Sequence, residues 1–401
     1  MTDLPVVIAG AGPTGLMCAL ALGRQGIPVI VLESEPALAH DLRAGTYHPP
    51  TLEMMAPYGI TARMHEAGIK VRHWQIRDRA GELVAEFDLG RLADVTPYPY
   101  RLHLEQHRLT PIQLDILRRE SSADIRFGCR LFGYTQRPDH VRIDAVAGDA
   151  KVAIAASWLI GADGGRSAVR KGMNVEFEGF TWPEQFLVAS TSFDFATKGF
   201  AFNSYVSDPR EWAAVFKMPH TGPPGIWRAV FPTDAALSEE QVLDTEAVEA
   251  ALQRLMPRSE RYAVRYKSVY RVHQRVAKTF RDNRVLLAGD AAHLNNPLGG
   301  FGLNSGIHDA INLADKLGRV LRREANEDAL DLYVRQRRAA AVAQVQAMSI
   351  RNKRLLEERD PQVQREQLLN LIATAEDADK ARTYLLESSM IAGLARANEV
   401  Q

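Results

Sequence analysis

Residues 5–34 read PVVIAGAGPTGLMCALALGRQGIPVIVLES, and few folds accept such a stretch. Val6, Val7 and Ile8 form a short apolar run suited to a central parallel strand, which is covered on both faces. Gly10, Gly12 and Gly15 follow as G-x-G-x-x-G, and Leu16, Ala19, Leu20 and Leu22 recur at helical spacing. Gly26 and Pro28 break that helix, Val29 to Leu32 read as a second strand, and Glu33 stands at its end. Each part has a physical task. Gly10 permits the tight turn, Gly12 lets a pyrophosphate approach the backbone, and Gly15 lets helix and strand pack closely. The helix N-terminus stabilises the phosphate charge. Glu33 is placed to accept hydrogen bonds from an adenosine ribose. With Pro13, Thr14 and Ser34 these residues form the first candidate cofactor-binding set.

Composition narrows the class further. The 401 residues are 46% hydrophobic and 24% charged, which is ordinary for a globular protein with two or three lobes. Net charge is zero and the pI is about 7.2, so no basic field points to nucleic acid or an anionic membrane. The N-terminus lacks a basic and apolar leader, and no uncharged apolar run reaches about 18 residues. A cytoplasmic protein without a membrane span is expected. Cys18 and Cys129 form no C-x-x-C, so neither a redox dithiol nor a metal site is expected, and Cys18 reads as a buried small hydrophobe. The fingerprint occurs once. A flavoprotein that held both FAD and NAD(P)H in paired Rossmann domains would carry a second.

Two later stretches carry the same kind of signal. In WLIGADGGRSAVRKGM, residues 158–173, an apolar strand runs into Asp163 and Gly164 and then a helix. Asp163 is either a cofactor-side residue or the cap of that helix. In LLAGDAAHLNNPLGGFGLNSG, residues 286–306, a strand meets Gly289 and Asp290, and a loop with Pro297, Gly299, Gly300 and Gly302 follows. From Leu303 or Asn304 onward a helix begins, with Ile307, Ala310, Ile311, Ala314 and Leu317 on one face. Exposed N–H groups that feed a helix N-terminus make an anion site. His293 reads as structural, in the turn after Asp290.

In this order the three motifs resemble the single-component FAD-dependent aromatic hydroxylases of the para-hydroxybenzoate hydroxylase type, the class A flavoprotein monooxygenases. GAGPTG with Glu33, GADGGRSAVR and GDAAHLNNPLGGFGLN carry the resemblance, which spans residues 1 to about 345. RAGTYHPPTLEMM is similar to the segment in which an arginine, here Arg43, meets FAD. EQHRLTPIQLDIL is similar to one in which a glutamine, here Gln106, reaches the flavin. The resemblance implies that Asp163 and Gly164 lie near the pyrophosphate and the NAD(P)H path, and that Asp290, after Gly289, meets the ribityl chain. It also implies that Pro297 lines the wall between substrate and flavin, and that Gly299, Gly300, Gly302, Leu303 and Asn304 wrap the isoalloxazine edge.

The implied fold is α/β: a Rossmann-like FAD-binding domain with a mixed sheet, an antiparallel substrate lobe and C-terminal helices. The expected FAD-binding domain is discontinuous, over 1–72, 101–175 and 276–345. The substrate lobe takes 73–100, with a hairpin over 73–89, and 176–275. Residues 346–401 are helical, charged and broken at Pro361, and they cap the fold or meet a second subunit, so a homodimer is allowed. The phenol hydroxylase branch's added thioredoxin-like domain is not expected in this length.

The implied activity is hydroxylation of an activated aromatic ring with NAD(P)H and O2, through a C4a-hydroperoxyflavin. The expected partner is a small aromatic substrate, with no nucleic acid and no metal. Tyr47, His48, Tyr205, Trp227 and Arg228 are candidate substrate contacts. Pro297, His48 and Tyr205 are candidates for the catalytic site, the last two as a base. Alternation does not reveal which lobe residues face inward, and Arg228 is either a substrate partner or a surface charge. A double-bond reductase, an epoxidising or Baeyer–Villiger enzyme, or a non-catalytic flavin protein would share the motifs. The W-x-W-x-I-P motif of flavin halogenases is absent.

Overall fold

A computed structural model describes residues 4–40, 45–220 and 225–401. The first strand, Val6–Ala9, lies inside a six-stranded sheet, paired in parallel with Val29–Leu32 on one side and Trp158–Gly161 on the other. Asp124–Arg126 and Val285–Leu287 extend the parallel set outward, and the antiparallel Arg281–Asp282 completes a mixed sheet. All four residues of Val6–Ala9 are buried, as the unbroken apolar run requires. The first glycine motif leads into helix Pro13–Gly23 and the third into helix Phe301–Leu321. These two helices pack on each other, and the first also packs on Gln106–Glu120. An antiparallel meander, Cys129–Gln136, Val141–Ala147 and Ala150–Ala156, which the motifs did not announce, joins the same core. Cys18 sits in that core, fully buried.

The second large element is an eight-stranded sheet. The expected hairpin forms from His73–Arg77 and Leu83–Asp88. It pairs with the lobe strands Asn203–Val206, Ala213–Met218, Ile226–Asp234, Phe177–Thr191 and Val264–Ala277. The sheet is antiparallel, as expected, except where the joining hairpin meets it, because His73–Arg77 runs parallel to Asn203–Val206. The hairpin arrives from a distant part of the chain, so no tight turn fixes its direction. At the other edge His293–Leu294, inside the third motif, pairs with Val264–Ala277 and ties the two sheets together.

The two faces of this sheet are separated strictly by alternation. The outer face carries Leu187, Val215, Trp227, Ala229 and Phe231, covered by Val248, Leu252 and Leu255 of helix Thr245–Leu255. The inner face carries Trp74, Ile76, Phe186, Val188, Tyr205 and Val230, which meet Leu298 of the late loop and Leu356, Leu371 and Leu385 of the C-terminal helices. Each such buried aliphatic side chain contributes about 1.5–3 kcal/mol. Pro361 acts as expected: one helix ends at Glu357, and Asp360 caps the next by accepting the Gln362 N–H at 2.8 Å. The buried Lys353 ties the first of these helices to the sheet through Glu184 and also pairs with Glu357 one turn on along its own helix. Among the described residues no helix is long and apolar enough to cross a membrane.

Candidate active site

The early loop is shaped by close backbone approach. Gly10 has φ +100°, and a Cβ there would lie 2.5 Å from the Ala162 carbonyl oxygen. A Cβ on Gly15 would strike the Gly10 carbonyl. Gly12 differs, since nothing lies within 4 Å of where its Cβ would be. It caps Pro13–Gly23 without a side-chain hydrogen bond, which leaves the first N–H groups of the helix for a ligand. Glu33 accepts the Ala11 N–H at 2.7 Å and the Glu35 N–H at 3.0 Å, and Ser34 donates its hydroxyl to Glu33 at 3.1 Å. The carboxylate thus holds the loop it is expected to serve. Thr14 connects the first and third motifs: a Cβ on Gly289 would come 2.7 Å from its Oγ1, and one on Gly306 would collide with the same atom.

In the second motif Asp163 accepts the Ala168 N–H at 2.7 Å and the Val169 N–H at 3.2 Å, so it satisfies the first N–H groups of helix Ala168–Gly172, whose N-cap is Ser167. Gly164 adjoins open space. Arg170 joins this turn to the third motif, donating to the carbonyls of Gly165 at 2.8 Å and Ala291 at 2.9 Å.

The third motif rests on a buried charged centre. Asp309, on Phe301–Leu321, accepts the Gly289 N–H at 3.0 Å and His293 Nε2 at 2.8 Å, and Arg337 Nε donates to its other oxygen at 2.6 Å. Burial pushes its pKa up, but His293 and Arg337 outweigh this and hold the carboxyl well below the usual range. His293 is therefore structural, as its place in the turn suggested. The centre fixes the turn that leaves Asp290 exposed between the buried Gly289 and Ala291. Farther on, Pro297 is exposed, and its carbonyl accepts the Gly300 N–H at 2.9 Å. Gly300, at φ +70°, begins Phe301–Leu321 without a side-chain cap. Gly302 and Leu303 follow in the first turn, half-buried. Asn304 acts as a clamp, accepting the His48 N–H at 2.9 Å and donating to the carbonyls of Thr46 at 2.8 Å and Gly300 at 2.6 Å.

Beside Gly299 lies a small cavity. Trp74, Arg101, Tyr205, Phe301 and Tyr384 line it, with Leu355, Leu356 and Ser388 from the C-terminal helices. Gly299 and Tyr205 both line it, and the Gly299 backbone lies beside the Tyr205 hydroxyl. Burial raises the pKa of Tyr205, so its phenol keeps its proton at neutral pH. His48 stacks on Phe301 with ring centres 5.5 Å apart, and its Nε2 lies 2.8 Å from the Gly299 carbonyl. That carbonyl can only accept, so Nε2 carries the proton. Burial and the Arg101 charge hold the His48 pKa well below 6.5, so the ring is neutral.

The other expected residues fall in different places. Tyr47 is fully buried in the core of the six-stranded sheet, and its hydroxyl has no partner. Trp227 requires a correction: strand alternation points it to the outer face, where it bonds Asp194 at 2.7 Å, away from the cavity. Arg228, one residue on, points inward and pairs with Glu105 at 3.4 Å, both of them buried, so it is not a surface charge. Gln106 opens helix Gln106–Glu120 and is half-buried. Arg43 lies outside the described residues. Sequence reasoning missed Arg101, Trp74 and Tyr384.

A family model described as "FAD binding domain" matches residues 3–348. The chain belongs to the FAD-dependent aromatic monooxygenases. It is 35% identical over 359 residues to para-nitrophenol 4-monooxygenase of Pseudomonas sp. (strain WBC-3), covering 89% of this chain and 88% of that one. It is 31% identical over 382 residues to 6-hydroxy-3-succinoylpyridine 3-monooxygenase of Pseudomonas putida, covering 95% and 96%. The crystal structure of p-nitrophenol 4-monooxygenase from Pseudomonas putida DLL-E4 superimposes with a TM-score of 0.92 at 33% identity, covering 97% of this chain and 98% of that one. The monooxygenase is thus a flavoenzyme, and its cleft suits the cofactor. Two helix N-termini without side-chain caps, the open space at Gly12 and Gly164, and the exposed Asp290 form a cradle for a long, anionic, hydrogen-bonding ligand.

Proposed function

We propose that this monooxygenase hydroxylates a small, electron-rich aromatic ring, a phenol, hydroxybenzoate-like acid or hydroxypyridine, with NAD(P)H as reductant. The ring, O2, NAD(P)H and one proton give the hydroxylated ring, water and NAD(P)+. One observation carries the reading: the cavity and the loop that begins the late helix share Gly299. The relatives' names agree with it, since para-nitrophenol and 6-hydroxy-3-succinoylpyridine are both hydroxyl-bearing aromatic rings.

When bound, FAD supplies the redox and oxygen chemistry. The chain supplies binding, orientation and a dry site. Gly10, Gly12, Pro13, Thr14 and Gly15 receive the pyrophosphate at the early helix, and Glu33 with Ser34 takes the ribose. Asp290 accepts from the ribityl hydroxyls. The N–H groups of Gly302 and Leu303, at the N-terminus of Phe301–Leu321, face the flavin and stabilise negative charge on it. Asn304 keeps this turn in place through its clamp on Thr46 and Gly300. Pro297 forms part of the wall between the two ligands. Trp74, Phe301, Leu355 and Leu356 exclude water from the ring. Tyr205 acts as a hydrogen-bond donor to a substrate oxygen, because burial keeps its phenol protonated. His48 fixes the Gly299 carbonyl and so positions the loop.

The test is substrate-stimulated NAD(P)H oxidation under labelled O2, across a panel of phenols, phenolic acids and hydroxypyridines. The expected result is one labelled oxygen atom in the product. Turnover without oxygen would favour a reductase and overturn the proposal.

A further inference from the structure

We propose that Arg101 is the specificity-determining residue of the cavity, selecting aromatic substrates that present a planar anionic oxygen group to its guanidinium. This rests on reading the cavity as the substrate site.

Five arginines among the described residues are buried: Arg77, Arg101, Arg170, Arg228 and Arg337. Four have evident reasons to be there. Arg337 pairs with Asp309 at 2.6 Å and Arg228 with Glu105 at 3.4 Å. Arg170 donates to two carbonyls within 2.9 Å. Arg77 donates to the carbonyls of Gly81 and Gly199 and to the Gln75 side chain. Arg101 is 3% exposed and has one long hydrogen bond, 3.4 Å to the Ser388 carbonyl. Its Nε has no partner. The groups that favour its charge are the Tyr205 and Tyr384 phenols, which are neutral, and not a carboxylate.

A guanidinium has five N–H donors, and a buried cation needs its charge answered. Among the described residues no carboxylate answers it, and Arg101 lines the cavity. The residue is also held still. Its backbone pairs with Val71 in the small sheet of Thr46–Tyr47, Arg101–His103 and Ile69–Val71. Its guanidinium lies 5.8 Å from the Trp74 ring centre, and that ring is stacked on Phe87 at 4.7 Å and on Tyr384 at 5.7 Å. A fixed guanidinium fork matches two coplanar oxygens, as in carboxylate or nitro groups, and also accepts a phenolate. The anionic oxygen can therefore come from a ring substituent or from the ring hydroxyl once ionised.

The experiment titrates FAD-loaded enzyme with two pairs of matched probes, without NAD(P)H, and follows the flavin spectrum. The first pair, 4-hydroxybenzoate and 4-hydroxybenzamide, differs in the charge of the substituent. The second, 4-nitrophenol and 4-nitroanisole, differs in whether the ring oxygen ionises. In the wild type the anionic member of at least one pair binds about ten- to a hundred-fold tighter. Discrimination in the first pair assigns the substituent to Arg101, and in the second the ring oxygen. In R101M that discrimination collapses through the loss of anion binding, and R101K keeps part of it. In turnover with the preferred anion, KM rises more than kcat falls. Equal binding within both pairs in the wild type overturns the proposal, as does discrimination that survives R101M. The wild-type comparison holds even if R101M does not fold. Failure of the hydroxylase reading looks different: charge discrimination would persist while no product carried labelled oxygen.

Discussion

Two tryptophans, Trp227 and Trp74, lie on opposite faces of the eight-stranded sheet, and each has a cation near its ring. On the outer face Lys217 Nζ is 5.1 Å from the Trp227 ring centre, and on the inner face Arg101 is 5.8 Å from that of Trp74. The difference is an acid. Asp194 accepts both the Trp227 indole N–H at 2.7 Å and Lys217 at 3.1 Å. Around Trp74 the indole N–H and Arg101 Nε are both without partners. The outer face is thus a completed core, closed by helix Thr245–Leu255, with its charge answered from within. The inner face is equally buried yet electrically incomplete. Burial alone does not separate core from site here; satisfaction of the buried polar atoms does.

If the outer face is only a core, its largest side chain should matter for stability and little for substrate. Trp227→Ala removes a fully buried indole that packs on Phe195 at 5.6 Å and Phe202 at 5.9 Å. The expected loss is about 3–5 kcal/mol in urea unfolding, with the KM of the folded enzyme unchanged. A large KM change with normal stability would break the comparison.

The next effect is smaller and depends on pH. Asp194→Asn removes the carboxylate that accepts from Lys217 and Trp227 and should cost about 1–2 kcal/mol at neutral pH. Burial raises the Asp194 pKa, but Lys217 and Trp227 outweigh it, so the folded-state value lies below that of an ordinary carboxyl. The stabilisation is therefore full above the unfolded value, about pH 4, and is lost as pH falls below it. Urea midpoints of the wild type and Asp194→Asn should converge toward pH 3. A constant gap down to that pH would show that Asp194 acts through shape and not charge.

The sequence made one part of this molecule readable and concealed the other. Gly10, Gly15 and Gly289 are where a backbone or Thr14 leaves no room for a Cβ, and such crowding appears directly as glycine in a strand–turn–helix pattern. The inner face left no comparable mark. Which residues of 186–232 face inward depends on which sheet face the C-terminal helices cover, a long-range fact that alternation cannot supply. Trp227 and Arg228 were indistinguishable until the faces were assigned. Arg101 was missed because RLHLE alternates polar and apolar like a half-exposed strand. In the structure all five of these residues are buried, and Arg101, His103 and Glu105 form a polar face turned inward. A useful signal would have been that alternation, placed immediately before Gln106 and between two segments already assigned to the cofactor side.

The smallest expected change in stability is the most informative, because it would make the inner face like the outer one. Ser388 lines the cavity, its hydroxyl is buried without a partner, and its carbonyl is the group that Arg101 reaches. Ser388→Asp would bring a carboxylate to a cation that lacks one, as Asp194 does for Lys217. A buried ion pair gains Coulomb energy and loses hydration in similar amounts, so stability without ligand should stay within about 1 kcal/mol of the wild type. Binding should not be spared. An internal acid competes for the same N–H donors, and affinity for the preferred anionic probe should fall about ten-fold or more, while its neutral partner keeps its own. Unfolding midpoints and probe titrations on one preparation measure both. Should the anion still bind as tightly, the open charge at Arg101 is not what the guest answers, and the contrast between the two tryptophans reduces to packing.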